Sequence, residues 1–292
     1  MYLGFDVQDS SALAVAVDAD ARVLARATHS GADALAAAVA ARADVESGRS
    51  TAAIGVAVRD KTEEAARLAA WLAANAVVVS AGAAVALAEQ WCGAAKDAQQ
   101  VVALVVGESV QAGVLIDGRP FDGAHGLAGS AGWLALNPVE REDYRRLGCL
   151  EAEVGTAGIV RRFVWRIKSG DRSRVTDMVD GNLAAIRVEQ IFAAARDRDG
   201  VAASVVRDTA KYIGMGLANL VAILDPDVVV LGGVVATAHD LLLDPARQEM
   251  VRRVPPTASH QVHVVAAALG AQSAAIGAAR AAMLAQQPRV LR

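Results

Sequence analysis

The sequence predicts an α/β protein of two lobes built on one plan. Three observations carry that expectation. The segments 2–7, 12–17 and 22–27 form a β-meander pattern, and Val101–Val106 followed by Ser109–Ile116 repeats its hairpin signature. Helical patterns and short apolar strands fill the rest of the chain. At 292 residues, with 54% hydrophobic but only 4% aromatic side chains, the chain exceeds one small core. Its interior must be built from Ala, Val, Leu and Ile.

Taken from the N-terminus, the first turns fall at Gln8-Asp9-Ser10 and Asp18-Ala19-Asp20, where Asp and Ser favour turn geometry. A helix over Gly31–Arg42, a strand over Ala52–Val58 and a helix over Thr62–Asn75 follow. The second hairpin closes at Asp117-Gly118 and leads through a Gly-rich stretch, 118–132, to a charged loop, Glu140–Arg146. Helices are expected over Thr156–Ile167, Leu183–Arg198 and Ala202–Ile223. The segment Asp225–Gly233 reads as a buried strand entered through a Pro turn and closed by a Gly pair. The last helix, Ala271–Ala285, is expected to cross back to the first lobe. That assigns residues 1–97 with 271–292 to an N-terminal lobe and 98–270 to a C-terminal lobe.

Composition excludes several roles. A net charge of −3, from 29 basic and 32 acidic residues mixed along the chain, gives no electrostatic footprint for nucleic acid. The two cysteines, Cys92 and Cys149, lie far apart without a CxxC pair, which fits a reduced, cytoplasmic setting. No leader-like segment precedes the first strand. The longest apolar run, Leu68–Ser80, is interrupted by Asn75 and falls short of the ~20 residues that span a bilayer.

Four segments, in order, resemble the ROK family (repressor, open reading frame, kinase), which includes bacterial glucokinase-like sugar kinases. They are Leu3-Gly4-Phe5-Asp6 with its hairpin; Ala86-Leu87-Ala88-Glu89 with Gly93-Ala94-Ala95; Asp117-Gly118 through Gly123-Ala124-His125-Gly126 and Ala128-Gly129 to Gly148-Cys149-Leu150-Glu151; and Asp225–Gly233. The resemblance covers nearly the whole chain. It implies the two-lobed actin/hexokinase-like (ribonuclease H-like) fold and, as relatives commonly are, a homodimer.

Set against the family pattern, the chemistry is depleted. The stretch Val79–Glu89 resembles the Glu-Asn-Asp-Ala-Asn segment that carries the catalytic base, yet Ala81 occupies the aspartate position. A general base contributes typically ~10²–10⁴ in rate. The first phosphate loop, Asp-x-Gly-Gly-Thr in relatives, reads Asp6-Val7-Gln8-Asp9-Ser10. Asp6 and the Ser10 hydroxyl persist; both glycines, which let backbone approach a nucleotide, do not. The second, Gly-Thr-Gly-x-Gly-x-Gly, reads Gly107-Glu108-Ser109-Val110-Gln111-Ala112-Gly113. A carboxylate fixed about 4 Å from a phosphate charge costs roughly 4 kcal/mol at an effective dielectric near 20, about a thousandfold in affinity. Asp9 and Glu108 are the intruding acids, and Asp9 by itself reads as a turn residue facing solvent.

At the sugar positions implied by the resemblance stand Ser80, Ala81, Ser130, Trp133 and Glu151, of which only Glu151 is the family's residue. Trp133 is expected to fill the vacated cleft. The zinc positions are Trp133, Glu142, Tyr144 and Cys149, and one thiol cannot replace the soft tetrahedral set. Ion pairs of Glu142 or Asp143 with Arg145 or Arg146 are expected to hold that loop, with Cys149 a small buried residue. Gly232 and Gly233 match the adenosine-side element and serve either nucleotide approach or packing of the strand. Between Ile54 and Val77 the chain is short, so a lid over a sugar is missing. The basic helix 159–168, with Arg161, Arg162, Arg166 and Lys168, reads as a solvated outer face. His260 and His263 have no nearby acid or third ligand in sequence.

The leading expectation is a ROK-family homologue that has lost phosphoryl transfer and binds a small molecule or a protein partner, with no nucleotide, zinc or other cofactor. One alternative is an ATP-dependent sugar kinase with a relocated base, Asp60 or Asp9. Another is a different activity in which Asp6, Asp9 and Glu108 gather a divalent cation. Because the first strand begins at residue 2, no DNA-binding helix-turn-helix is expected ahead of it.

Overall fold

The computed structural model describes residues 1–46, 48, 50–59 and 62–287, without the side chains of Ser259 and His260. The chain divides into two compact units: Met1–Ala103 with Ala112–Gly129 and Ala267–Arg292, and Leu104–Gln111 with Ser130–Ala266.

The first sheet contains β1 (Tyr2–Val7), β2 (Ser11–Val17), β3 (Val23–Ser30), β4 (Ala53–Val58) and β5 (Val77–Ser80), in the order β3-β2-β1-β4-β5. β1 and β2 run antiparallel from Tyr2↔Val17 to Val7↔Ala12, and β2 pairs antiparallel with β3. β1, β4 and β5 are parallel. The helices between them are α1 (Ala34–Glu46), α2 (Glu63–Leu72) and α3 (Ala81–Cys92).

Period-two alternation sorts the side chains of this sheet. Leu3, Phe5, Val7, Ala12, Ala14 and Ala16 pack with Ala37, Ala38, Ala41 and Val45 of α1. On the opposite face Val15 and Val17 meet Ala275, Ile276 and Ala279 of the chain's last helix. That helix lies so close that a Cβ on Gly4 would stand 1.8 Å from the Ala275 carbonyl oxygen, and one on Gly55 1.9 Å from that of Ala278.

The later elements are β6 (Val101–Val106), β7 (Val110–Ile116), β8 (Arg119–Pro120), α4 (Glu142–Leu147), α5 (Cys149–Val154), α6 (Thr156–Lys168), α7 (Val175–Met178), α8 (Val188–Arg196), α9 (Gly200–Leu224), β9 (Val228–Gly233), α10 (Val234–Thr237), α11 (His239–Val251), α12 (Ala258–Gln261), β10 (His263–Ala266) and α13 (Ser273–Ala285). The second sheet has the order β8-β7-β6-β9-β10, which repeats the connectivity of the first.

Several expected boundaries move for local reasons. The helix expected from Gly31 begins at Ala34, where Asp33 accepts the Ala36 amide at 2.8 Å. The helix expected over Leu183–Arg198 is a 3₁₀ turn, Leu183–Ala185, and then α8, whose start is closed by the Arg187 amide donating to Gln190 at 2.8 Å. Asp225 adopts a left-handed conformation, φ 43°, that stops α9 and delays the strand to Val228. α3 was not expected; its alanine-rich sequence carries no periodic polar face because residues 82–89 are all buried. Among the described residues no helix is long and apolar enough to cross a membrane.

Candidate functional site

In the first unit, Asp6 is the penultimate residue of β1, opposite Leu13 of β2 and beside Ala57 of β4. Burial among these strands pushes its carboxyl up to about 6, partly offset by a hydrogen bond from the Gln8 side chain. Gln8, Asp9 and Ser10 form an exposed β1–β2 turn. Its backbone is fixed by the Gln8 amide donating to the Ser11 carbonyl and the Gly31 amide donating to that of Ser10, each at 2.9 Å. Asp9 therefore faces solvent, as a turn residue.

Ser80 and Ala81 occupy the β5–α3 junction. The Ser80 hydroxyl accepts the Ala83 amide at 3.3 Å and so caps α3, and Ala81 is the first helical residue. The Ala81 side chain is a methyl group in the first turn of that helix. Gly113 has a packing role of its own: a Cβ there would stand 2.0 Å from the Gly82 carbonyl oxygen, because β7 and α3 approach backbone to backbone.

In the second unit, Glu151 sits in the first turn of α5 and accepts the Val110 amide at 2.8 Å. One oxygen of its carboxylate thus anchors the start of β7. Gly107 accepts the Thr156 amide at 3.0 Å and is sterically open, with only the Ser109 carbonyl oxygen near a would-be Cβ at 3.8 Å. Glu108 is exposed. Gly233 closes β9 at φ 75°, where a Cβ would meet the Val106 carbonyl oxygen at 2.2 Å, while Gly232 is buried in the strand. Packing therefore suffices to explain Gly233.

Trp133 departs from expectation. It follows exposed Ser130 in a 3₁₀ turn, Ala131–Trp133, and is 58% exposed, so it fills no core space. Gly132, in the middle of the turn, lies beside the Glu151 side chain, and the indole that follows is exposed.

The loop from Glu140 is organised around a residue that sequence reasoning passed over. Glu153, with its side chain 2% exposed, accepts the Tyr144 hydroxyl, pairs with Arg141 at 3.2 Å and has Arg162 at 3.5 Å. Burial first, and then the bond to Glu153, push the Tyr144 phenol well above its ordinary value. Glu142 is exposed and Cys149 is a free, buried thiol packed with Tyr144 and Ala152. Of the expected loop pairs, Arg146–Asp143 forms at 3.8 Å, whereas Arg145 turns to Glu140 at 3.0 Å. The signal for Glu153 was a second acid in the short, otherwise apolar helix α5, nine residues before Arg162.

The arginines of α6 are used internally. Arg161 pairs with Asp143, Arg162 donates to the Glu153 carbonyl and to Thr209, and Arg166 pairs with Asp171. Only its rim, with Trp165 at 65% exposure, behaves as a plain solvated face. Among the described residues no three His, Cys, Asp or Glu side chains are grouped to hold a metal ion, which gives a cation on Asp6, Asp9 and Glu108 no support. His263 is exposed on β10; the side chain of His260, and Asp60 altogether, lie outside the described residues.

Residues 65–287 match the ROK family. A glucokinase of Halalkalibacterium halodurans is 30% identical over 223 residues, 75% of this chain and 65% of that one. The DNA-binding transcriptional dual regulator NagC of Escherichia coli is 30% identical over 159 residues, 54% of this chain and 38% of its own length. The matched stretch thus spans less than two thirds of these relatives. The crystal structure of a ROK family glucokinase from Streptomyces griseus with glucose and AMPPNP superposes with a TM-score of 0.83 at 23% identity, covering 97% of this chain and 99% of that one. Matched over three quarters of its length, with two sheets of one connectivity, the chain belongs to the ROK family and has the actin-like/hexokinase fold.

Proposed function

We propose that this ROK-family protein has lost phosphoryl transfer and works by binding a small molecule or a protein partner, as a homodimer and without nucleotide, zinc or nucleic acid. The observation that carries the reading is Ala81: the residue opening α3 beyond the Ser80 cap has no group that could take a proton from a sugar hydroxyl. Three further points support it. The β1–β2 turn has side chains at Gln8 and Asp9 where relatives have glycines. Glu151 is engaged by the Val110 amide. Gly113 and Gly233 have packing reasons to persist that need no nucleotide.

The test is a coupled assay of purified protein with Mg-ATP and a panel of hexoses, followed by nucleotide titration in a calorimeter. We expect no turnover above the protein-free background and no saturable nucleotide binding. Turnover at about 1 s⁻¹ or faster, the ordinary range for enzymes, would overturn the reading.

One observation favours a working kinase instead. The Asp6 carboxyl titrates at about 6, near the operating pH that suits a general base. In that case the hexose assay is positive and Asp6→Asn abolishes it. The likeness to a DNA-binding regulator makes nucleic acid the partner to test first. With net charge −3 the chain is expected to leave duplex DNA unshifted in a gel at physiological salt.

A further inference from the structure

We propose that the first unit carries a binding site for a small organic anion with an apolar body, held between β2–β3 and the turn that opens α13. It rests on a cavity of about 430 Å³ lined by Leu13, Arg26, Ala27, Thr28, Leu269, Ala271 and Gln272, within the usual size range of small-molecule sites.

The register explains why the space exists. Leu13 faces Thr28, and Val15 faces Arg26, so these four side chains share one face of the sheet. That is the face on which α13 packs, through Val15 and Val17. α13 covers the centre of the sheet at Gly4 and Gly55 and leaves Arg26 and Thr28 of edge strand β3 exposed. The overhang forms the floor, and Leu269, Ala271 and Gln272 form the wall.

The wall is rigid. Buried Glu89 accepts the amides of Ala268 and Leu269 at 3.0 Å each and the Ser273 hydroxyl at 3.3 Å, which fixes the turn on both sides of Ala271. A site whose wall is already held loses little entropy on binding.

The chemistry of the ligand follows from the lining. Arg26 makes no ion pair among the described residues, and Glu89, the acid nearest the wall, is consumed by its own donors. A planar guanidinium without a partner suits a carboxylate or similar oxyanion, taken in bidentate fashion. Thr28 and the Gln272 amide add polar contacts, and Leu13 and Leu269 offer an apolar surface. Asp6, opposite Leu13 on the neighbouring strand, is a competing acid in register and is buried between β2 and β4.

The probe is 2-naphthoate, a rigid aromatic carboxylate whose fluorescence polarisation reports binding, with neutral 2-naphthamide as control. We expect saturable binding of one equivalent of naphthoate in the micromolar to millimolar range and at least about tenfold weaker binding of the amide. Arg26→Gln, an exposed change that leaves the fold intact, should weaken naphthoate about ten- to a hundredfold, the range of one charge-assisted bond. Thr28→Trp, placed on a strand that favours aromatic residues, should fill the floor and abolish binding. Three results would each overturn the proposal: no saturation by millimolar naphthoate, equal binding of acid and amide, or unchanged affinity in Arg26→Gln.

Discussion

Glu89 and Asp6 show how differently two enclosed carboxylates behave. Glu89 is fully buried, and its oxygens accept the amides of Ala94, Ala268 and Leu269 together with the Ser273 hydroxyl. Gly93 is obligatory beside it, since a Cβ would stand 2.1 Å from the carboxylate. Replacing Glu89 by Ala removes the acceptor of three amides and of the Ser273 hydroxyl, so a loss of about 1–3 kcal/mol in urea unfolding is expected. Asp6 has a hydrogen bond from Gln8 and no such set of amides, and its carboxyl rises from 3.8 to about 6. The folded state holds that proton more tightly than the unfolded chain does. The associated stability is therefore complete below pH 3.8 and is lost as pH rises through 6. Between pH 4 and pH 7 the wild type should lose about 2–3 kcal/mol relative to Asp6→Asn, measured by urea unfolding at the two pH values.

Among the elements, packing now accounts for glycines that motif reading would give to a ligand. β7 and α3 meet at Gly113 and Gly82, so Gly113→Ala should cost more than about 3 kcal/mol or prevent folding. Gly107→Ala, which meets only one atom at 3.8 Å, should change stability by less than about 1 kcal/mol. The pair of variants, compared by thermal unfolding, separates packing from nucleotide approach. The α4–α5 segment is secured by Tyr144, Arg141 and Glu153. Tyr144→Phe should cost about 1–2 kcal/mol, and a zinc chelator should leave the wild-type Tm where it is.

Much of the element order was legible because strand alternation and the turns at Asp18, Asp117 and Pro226 are local signals. α3 was not, since a helix buried on every side has no amphipathic period. Boundaries at Asp33 and Asp225 depended on single caps. Ala81 is legible in the sequence and stands at a helix start, but the engagement of Glu151 by Val110 and of Glu153 by Tyr144 spans chain separations that no local pattern encodes.

At the scale of the molecule, the same strand order appears twice, β3-β2-β1-β4-β5 and β8-β7-β6-β9-β10. Both sheets of the ROK-family scaffold are thus present, and the proposed loss of phosphoryl transfer rests on residues outside these strands, Ala81 foremost. Size-exclusion chromatography with light scattering tests the proposed dimer: a mass near 60 kDa is expected from a chain of 30.1 kDa, and a mass near 30 kDa would refute it.

The seat of α13 against Gly4 and Gly55 has a consequence during synthesis. A ribosome makes β2 long before α13, so the Val15–Val17 side of the opening sheet waits for all the intervening segments before it receives its lid of alanines. Through that interval the nascent chain carries an unroofed oily surface. Chaperone dependence, or aggregation when elongation stalls before α13 is made, should follow from that delay.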